Sequence, residues 1–467
     1  MTSLKFGTSG LRGLVVDLTP MACRRHALAF LAHLRTAGTL GASGQVLVGR
    51  DLRASSPAIA QSCMAAIAEA GLTPVDCGAL PTPALALAGL TRRAPAIMVT
   101  GSHIPDDRNG LKFYRPDGEI DKSDEAGILA ALPVIAEATP AAFTAPAVDG
   151  SARADYVARY TGLAPGLSLS GKRIAVYQHS SVARDVLVEI LAALGADVVP
   201  LGRADAFIPV DTEALRPEDV ALAAAWARDP GFDALVSTDG DADRPLLADE
   251  TGRFLRGDIL GLLTAAYLDA DTIVTPVTST SAIEASALVA QAVRTRVGSP
   301  YVIAAMAGIG QGVTLGFEAN GDVLLGSDAL FAGLPLPALP TRDAVLPILS
   351  VLALAGERGL ALSELVETLP ERRTASDRIK DSPTETNLAF LSRLAAPGAA
   401  ALYFAPIGDL ANLDLTDGVQ ARLATGETVH YRASGNAPEL RCYTEAVEQA
   451  RADDLLAWGL AQARAAL

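Results

Sequence analysis

The chain has 467 residues, half of them hydrophobic, with 38 Lys and Arg against 53 Asp and Glu and a formal net charge of −15. That length points to about three or four domains rather than one, with ample apolar material for their cores. The acidic balance and an aromatic content of 5% argue against nucleic acid and anionic membranes as partners, but local arginines and backbone N–H groups can still bind anions.

Cys23, Cys63, Cys77 and Cys442 form no Cys-x-x-Cys pair, so neither a disulfide framework nor a zinc site is expected. The opening MTSLKFGTSG lacks a signal-peptide apolar stretch. No apolar run reaches the ~18 residues of a membrane span. The expectation is a soluble, reduced, cytoplasmic protein.

The first motif is FGTSGLRG (6–13), a Gly-rich loop in which Arg12 offers a phosphate-binding fork. QVLVG (45–49) reads as a buried strand. In GRDLRASS (49–56), Arg50 and Arg53 are expected to brace the loop. Ser56 and Pro57 are expected to cap and open a helix that ends at Gly71. TPVDCG gives another strand, an Ala/Leu helix follows Pro83, and PAIMV (95–99) closes the run. This rhythm predicts a sheet with helices on both faces.

TGSHIP (100–105) follows that strand. Ser102 reads as a cap or turn residue, and becomes a nucleophile only beside a base, an electrophile or a metal. Lys112 in NGLKFY (109–114) lies on a strand expected to return to the same edge, where an amine can exchange a proton. A phosphate on Ser102 could be oriented by His103. TPAAFTAPAVDGSA (139–152) reads as a linker.

A second cycle runs from KRIAVYQ (172–178) to DALVS (233–237) and ends in TDGDADRP (238–245). Three carboxylates as close as Asp239, Asp241 and Asp243 repel unless a cation neutralises them, and hard oxygen ligands suit Mg²⁺. The alternatives are a solvated Asx turn and an EF-hand start. The second fails because Arg244 and Pro245 stand where the loop needs glycine. A third cycle runs from TIVTPV (272–277) through LGFEANGDVLL (315–325). There Glu318 and Asn320 suit sugar hydroxyls, and Asn-Gly also suits a hairpin tip.

PLPALPTRD (335–343) and ERRTASDR (371–378) break the rhythm. VQARLA, TVHYRAS and LRCYTEA then read as strands before a last helix. In RASGNAPELRCY (432–443), Arg432, Ser434, the Gly435 backbone and Asn436 could form a phosphate nest. The expected fold is α/β: three related α/β domains with mixed sheets plus a C-terminal α+β domain around a central cleft. The divisions are 1–145, 146–250, 251–366 and 367–467, and each of the first three ends a strand in a polar loop facing the cleft.

In this order FGTSGLRG, TGSHIP, NGLKFY, DGDADR, GFEANGD and RASGNAPELRCY resemble the α-D-phosphohexomutase family across essentially the whole chain. The resemblance implies that Ser102 is a phosphoserine that gives its phosphoryl group to a sugar phosphate and later recovers one. It implies Mg²⁺ held by Asp239, Asp241, Asp243 and the Ser102 phosphate. Lys112 would be the general base, with Arg12 and His103 beside the reacting phosphate. Substrate would meet Arg244, Glu318, Asn320, Arg432, Ser434, Gly435 and Asn436. A hexose 1,6-bisphosphate would be both intermediate and activator. The partner is then a small sugar phosphate, handled by a monomer or homodimer. The bacterial-sized chain most resembles the family's mannose-specific members. Glucosamine, acetylglucosamine and glucose phosphates are the alternative substrates.

Three departures stand out: Gly101 and Ile104 where the family reads Ala and Asn, Asp322 where it often has His, and Asn436-Ala437 where it reads Thr-Glu. From other classes, a Mg-dependent sugar phosphatase would use an Asp nucleophile and ignore Ser102. A non-catalytic sugar-phosphate sensor would dispense with Ser102 and Lys112.

Overall fold

The computed structural model describes residues 2–7, 10–229, 231–435 and 438–467. Four sheets of four to seven strands follow one another along the chain, and the first three are mixed. In spatial order the first runs Lys5–Phe6, Leu11–Leu14, Arg108–Arg115, Ala96–Val99, Gln45–Arg50 and Thr73–Ala79, with Gly118–Glu119 on Arg108–Arg115. Gln45–Arg50 is flanked by parallel neighbours on both sides. Such a strand is covered on both faces, which is why QVLVG is a continuous apolar run. Alternation sends Val46 and Val48 to one core and Leu47 to another.

FGTSGLRG is more than a loop: its flanks are the paired strands Lys5–Phe6 and Leu11–Leu14. Gly10 sits at φ +79°, and a Cβ there would lie 2.3 Å from the Leu111 carbonyl. The helix Ser56–Glu69 begins at Ser56, so Ser56 is not its cap, and Ser55 makes no side-chain cap bond. The Ser56 hydroxyl instead donates to Asp51 at 2.5 Å.

The second sheet runs Pro245–Ala248, Ala234–Thr238, Arg173–His179 and Asp197–Arg203. The third runs Gln291–Thr295, Thr272–Pro276, Thr314–Phe317, Val323–Leu325 and Leu339–Asp343. PLPALPTRD therefore does not break the pattern; it supplies the third sheet's last strand. Prolines are tolerated at such an edge. The fourth sheet is wholly antiparallel, Arg373–Ile379, Leu440–Ala446, Thr428–Ala433, Val419–Leu423 and Leu410–Asp414. The helix Gln449–Ala466 packs on it.

One apolar core joins the first three sheets, with Leu47, Val176 and Leu315 in the same cluster. The fourth sheet has its own, around Phe390, Phe404, Tyr431 and Leu455. Polar contacts tie it to the third: Ser281 N–H donates to Glu445 at 3.0 Å, and Gln420 donates to the Val277 carbonyl at 2.9 Å.

Candidate active site

Strand register places the first two groups. Met98 pairs with Lys112 across the antiparallel strands Ala96–Val99 and Arg108–Arg115, so the lysine lies beside the strand that leads into Ser102. Leu111 and Phe113 point into the apolar core, which sends Lys112 to the other face. Ser102 sits at φ +53°, a conformation few serines adopt. Its N–H donates to Thr100 Oγ1 at 2.8 Å, and Thr100 donates to Asp51 at 2.8 Å.

Arg53 holds the loop's shape. It is 1% exposed, pairs with Asp51, and donates to the carbonyls of Ser102, Ile104, Pro105 and Arg108. Its guanidinium also lies 3.8 Å from the Phe207 ring centroid. A Cβ on Gly101 would come within 2.7 Å of Arg53 Cζ, which accounts for glycine at that position. Arg50 does not share the task; it pairs with Asp76 at 2.7 Å.

The aspartate loop, 239–243, meets the serine loop directly. Ser102 Oγ donates to Asp239 Oδ2 at 2.5 Å, and a Cβ on Gly240 would lie 2.9 Å from the Ser102 carbonyl. Asp239, Asp241 and Asp243 are fully buried, and one ligand oxygen from each lies within 4.8 Å of the others. Lys112 Nζ bridges Asp241 Oδ2 and Asp243 Oδ2 at 2.6 Å each, and Thr82 also donates to Asp241 Oδ2. Among the described residues, the Oδ1 atoms of Asp241 and Asp243 have no hydrogen-bond partner.

The electrostatics follow. Burial, with the charges of Asp241 and Asp243, pushes the Asp239 carboxyl well up. Burial acts on Asp241 too, but Lys112, Thr82 and Arg342 outweigh it and hold that carboxyl below its ordinary value. Three carboxylates this close cannot all stay ionised without more positive charge. The orphaned oxygens and the all-oxygen donor set fit a hard divalent cation. His103 Nδ1 lies 3.2 Å from Ser102 Oγ and 3.1 Å from an Arg244 nitrogen. Burial and Arg244 push this imidazole down to about 3, so it is neutral and Nδ1 accepts.

Of these groups, His103 and Arg244 open onto a cleft of about 540 Å³, lined also by Arg12, Glu318, Asn320, Arg432, Ser434 and Gly435. Sites expected from five separate stretches of sequence thus share one cavity. Asn436 lies outside the described residues. Burial and the neighbouring Arg244 push Arg12 down to about 10, still a cation at neutral pH. Glu318 and Asn320 sit both in a hairpin, between Thr314–Phe317 and Val323–Leu325, and on the cleft wall. Asp322 is fully buried and accepts the Glu318 N–H at 3.0 Å. Burial and Glu318 push its carboxyl up, and it shapes the loop from behind. Arg342, Arg378 and Arg441 also line the cleft. Sequence motifs did not single them out, although Arg441 lies within RASGNAPELRCY. A second cavity of about 350 Å³ adjoins the cleft at the seam of the third and fourth sheets.

This geometry coincides with a clear set of similarities. Three models of the phosphoglucomutase/phosphomannomutase α/β/α domains match: domain I over residues 3–138, domain II over 155–252 and domain III over 256–373. A phosphomannomutase of Sinorhizobium fredii is 51% identical over 465 residues, covering 98% of each chain. One of Salmonella muenchen is 44% identical, covering 96% of this chain and 93% of that one. A phosphoglucosamine mutase of Cereibacter sphaeroides is 31% identical, covering 79% and 83%. Among solved structures, a phosphoglucomutase/phosphomannomutase family protein from Burkholderia thailandensis superimposes with a TM-score of 0.78 at 21% identity, covering 98% of this chain and 97% of that one.

Proposed function

The chain belongs to the phosphoglucomutase/phosphomannomutase family, the α-D-phosphohexomutases, and from that premise we propose that it interconverts mannose 1-phosphate and mannose 6-phosphate through a phosphoserine at Ser102. The observation that carries the chemistry is the Ser102 hydroxyl set 2.5 Å from the first aspartate of a buried carboxylate triad. The choice of sugar rests on near full-length similarity to two phosphomannomutases, against 31% identity to a phosphoglucosamine mutase.

The substrate's phosphate binds at the fourth sheet, where Arg432, Ser434 and the Gly435 backbone converge. Its free hydroxyl attacks the phosphorus on Ser102. The new P–O bond forms as the bond to Ser102 Oγ breaks, and the hydroxyl proton passes to Lys112. Lys112, uncharged before the attack, hands that proton on to the serine oxygen as the hexose 1,6-bisphosphate forms. The bisphosphate turns within the cleft, and its other phosphate returns to Ser102. Arg12 and Arg244 stabilise charge on the moving phosphoryl group. Neutral His103 receives an Arg244 N–H and so fixes that guanidinium beside the serine. Glu318 and Asn320 grip hydroxyls common to both sugar orientations.

Asp239, Asp241 and Asp243, with the phosphate on Ser102, would hold Mg²⁺, which supplies charge neutralisation to the phosphoryl oxygens. Added hexose 1,6-bisphosphate would reload any enzyme that has lost its phosphate. The product would supply GDP-mannose synthesis. Four unpaired, buried cysteines and a sugar-phosphate substrate support a cytoplasmic setting.

The test is ³¹P NMR with Mg²⁺ and trace hexose 1,6-bisphosphate, offering the 1-phosphates of mannose, glucose, glucosamine and acetylglucosamine separately. Mannose 1-phosphate converts fastest to its 6-phosphate, and Ser102→Ala stops it. Release of inorganic phosphate at a rate indifferent to Ser102→Ala would identify a phosphatase instead.

A further inference from the structure

Arg342 lies on Leu339–Asp343, the last strand of the third sheet. It is 2% exposed. Its guanidinium places one terminal nitrogen 3.3 Å from Asp243 Oδ2 and its Nε 3.6 Å from Glu119 Oε1. Glu119 belongs to the first sheet and Asp243 to the loop leaving the second. One buried arginine therefore joins three sheets at the last carboxylate of the triad in chain order. Its neighbours extend the same junction. The Thr341 hydroxyl donates to Glu119 at 2.9 Å, and Asp343 accepts the Tyr156 hydroxyl at 2.6 Å and also that of Tyr160.

The two oxygens of Asp243 have different surroundings. Oδ2 faces Lys112 at 2.6 Å and Arg342 at 3.3 Å, whereas Oδ1 has no hydrogen-bond partner among the described residues. A carboxylate can hold a cation in a fixed direction only if its other oxygen is itself held. Such outer partners raise a site's order and affinity. Lys112 cannot serve as that fixed partner if it exchanges protons and substrate contacts during turnover. Arg342 can. It stays charged at any working pH, and its planar fork spans two carboxylates at once, a geometry a lysine cannot copy.

We infer that Arg342 is a positioning residue for the cation site: held beside Glu119 by opposite charge, it fixes Asp243 so that Oδ1 is presented to the metal. The inference rests on reading the aspartate triad as the cation site. It assigns Glu119, outside the catalytic cleft, a measurable influence on metal affinity.

The experiment is Mn²⁺ titration of the full chain by electron paramagnetic resonance, with no substrate present. Arg342→Lys preserves the charge but not the two-carboxylate span, so any change reports position. Its Mn²⁺ Kd rises by about tenfold, the range seen when an outer partner of a metal ligand is lost. Glu119→Gln raises it in the same direction, and the double variant is no weaker than Arg342→Lys alone. Should Arg342→Lys fail to fold, Glu119→Gln carries the test. Mn²⁺ affinities within about twofold of wild type in the folded variants, or additive losses in the double variant, overturn the inference. Asp243→Asn is the control that separates the two readings. If wild type and Asp243→Asn bind Mn²⁺ alike, the triad is not the cation site and the earlier reading fails first.

Discussion

Ser102 and Asp239 lie 137 residues apart in the chain and 2.5 Å apart in the fold, hydroxyl to carboxylate. On the proposed mechanism, the contact puts the serine that carries the phosphoryl group inside the charge field that stabilises its transfer. Removing the hydroxyl leaves the cleft and the triad intact but abolishes the covalent route. Ser102→Ala therefore lowers mutase turnover by at least about a thousandfold, as loss of a nucleophile does elsewhere. Mannose 1-phosphate binding, measured by calorimetry, stays within a few-fold. Loss of binding together with turnover would point to a collapsed loop.

Gly101→Ala tests the brace beneath that serine. The added methyl would sit 2.7 Å from Arg53 Cζ and 2.8 Å from Nε, in a place with no solvent-side escape. Arg53 would have to release some of the four carbonyls it holds. Overpacking of this kind costs about 1–3 kcal/mol. Denaturant unfolding should show that loss, and turnover should fall with it because Ser102 depends on the same loop. An unchanged midpoint would mean that Arg53 shifts freely.

The parts of this site legible in the sequence are those where polar residues crowd a strand end. TGSHIP, TDGDADRP and RASGNAPELRCY each interrupt an apolar pattern, and their recurrence in one chain is more than isolated caps or Asx turns would produce. Arg342 was illegible for the opposite reason. Its partners come from two other sheets, and its strand carries Pro340, which hides the alternation. Ser56 misleads through chemistry: Ser-Pro favours a helix start, but Asp51 claims the hydroxyl. The fit of Gly101 against Arg53 is also invisible locally, since the two residues approach only when the strands Gln45–Arg50 and Ala96–Val99 pair.

The loop that carries Glu318 and Asn320 has its own tight contact. Gly257 opens the helix Gly257–Tyr267, and a Cβ there would lie 2.1 Å from Gly321 N and 2.4 Å from the Asn320 carbonyl carbon. Both are backbone atoms and cannot rotate away. Gly257→Ala should push Glu318 and Asn320 out of place while sparing Ser102 and Lys112. The expected result is a KM for mannose 1-phosphate raised by about tenfold, or ~1.4 kcal/mol, with a smaller change in kcat. A change confined to kcat would mean that the loop acts on the chemistry rather than on the grip.

Asp149 closes the segment between the first and second sheets. Its carboxylate accepts from Ser151 and from Arg92, and these partners lower its pKa from 3.8 to about 2. A depressed carboxylate adds stability that is fully present above its unfolded pKa and lost as pH falls through the folded one. Asp149→Asn should therefore melt below wild type by a constant interval from about pH 7 to 5. The interval should shrink as pH drops below about 4. An interval independent of pH would show that the asparagine loses shape rather than charge.

For the phosphate site proposed on the fourth sheet to face Ser102, that sheet must approach the other three, and its separate core leaves that approach to polar contacts. Glu445 is the best placed of them. It is 6% exposed, accepts the N–H and hydroxyl of Ser281, and lies 3.9 Å from Arg372 Nε. Glu445→Ala leaves the Ser281 N–H without its acceptor, at a cost of about 1–3 kcal/mol in a buried setting. That cost falls on the seam and not on either core. Differential scanning calorimetry should then show a low-temperature shoulder as the last ~100 residues unfold ahead of the rest. The KM should rise severalfold because Arg432 and Ser434 meet the substrate phosphate less often, while Mn²⁺ affinity at the distant triad stays unchanged. A single unshifted transition with an unchanged KM would show that the fourth sheet is held by its loops, with Glu445 contributing nothing to its closure.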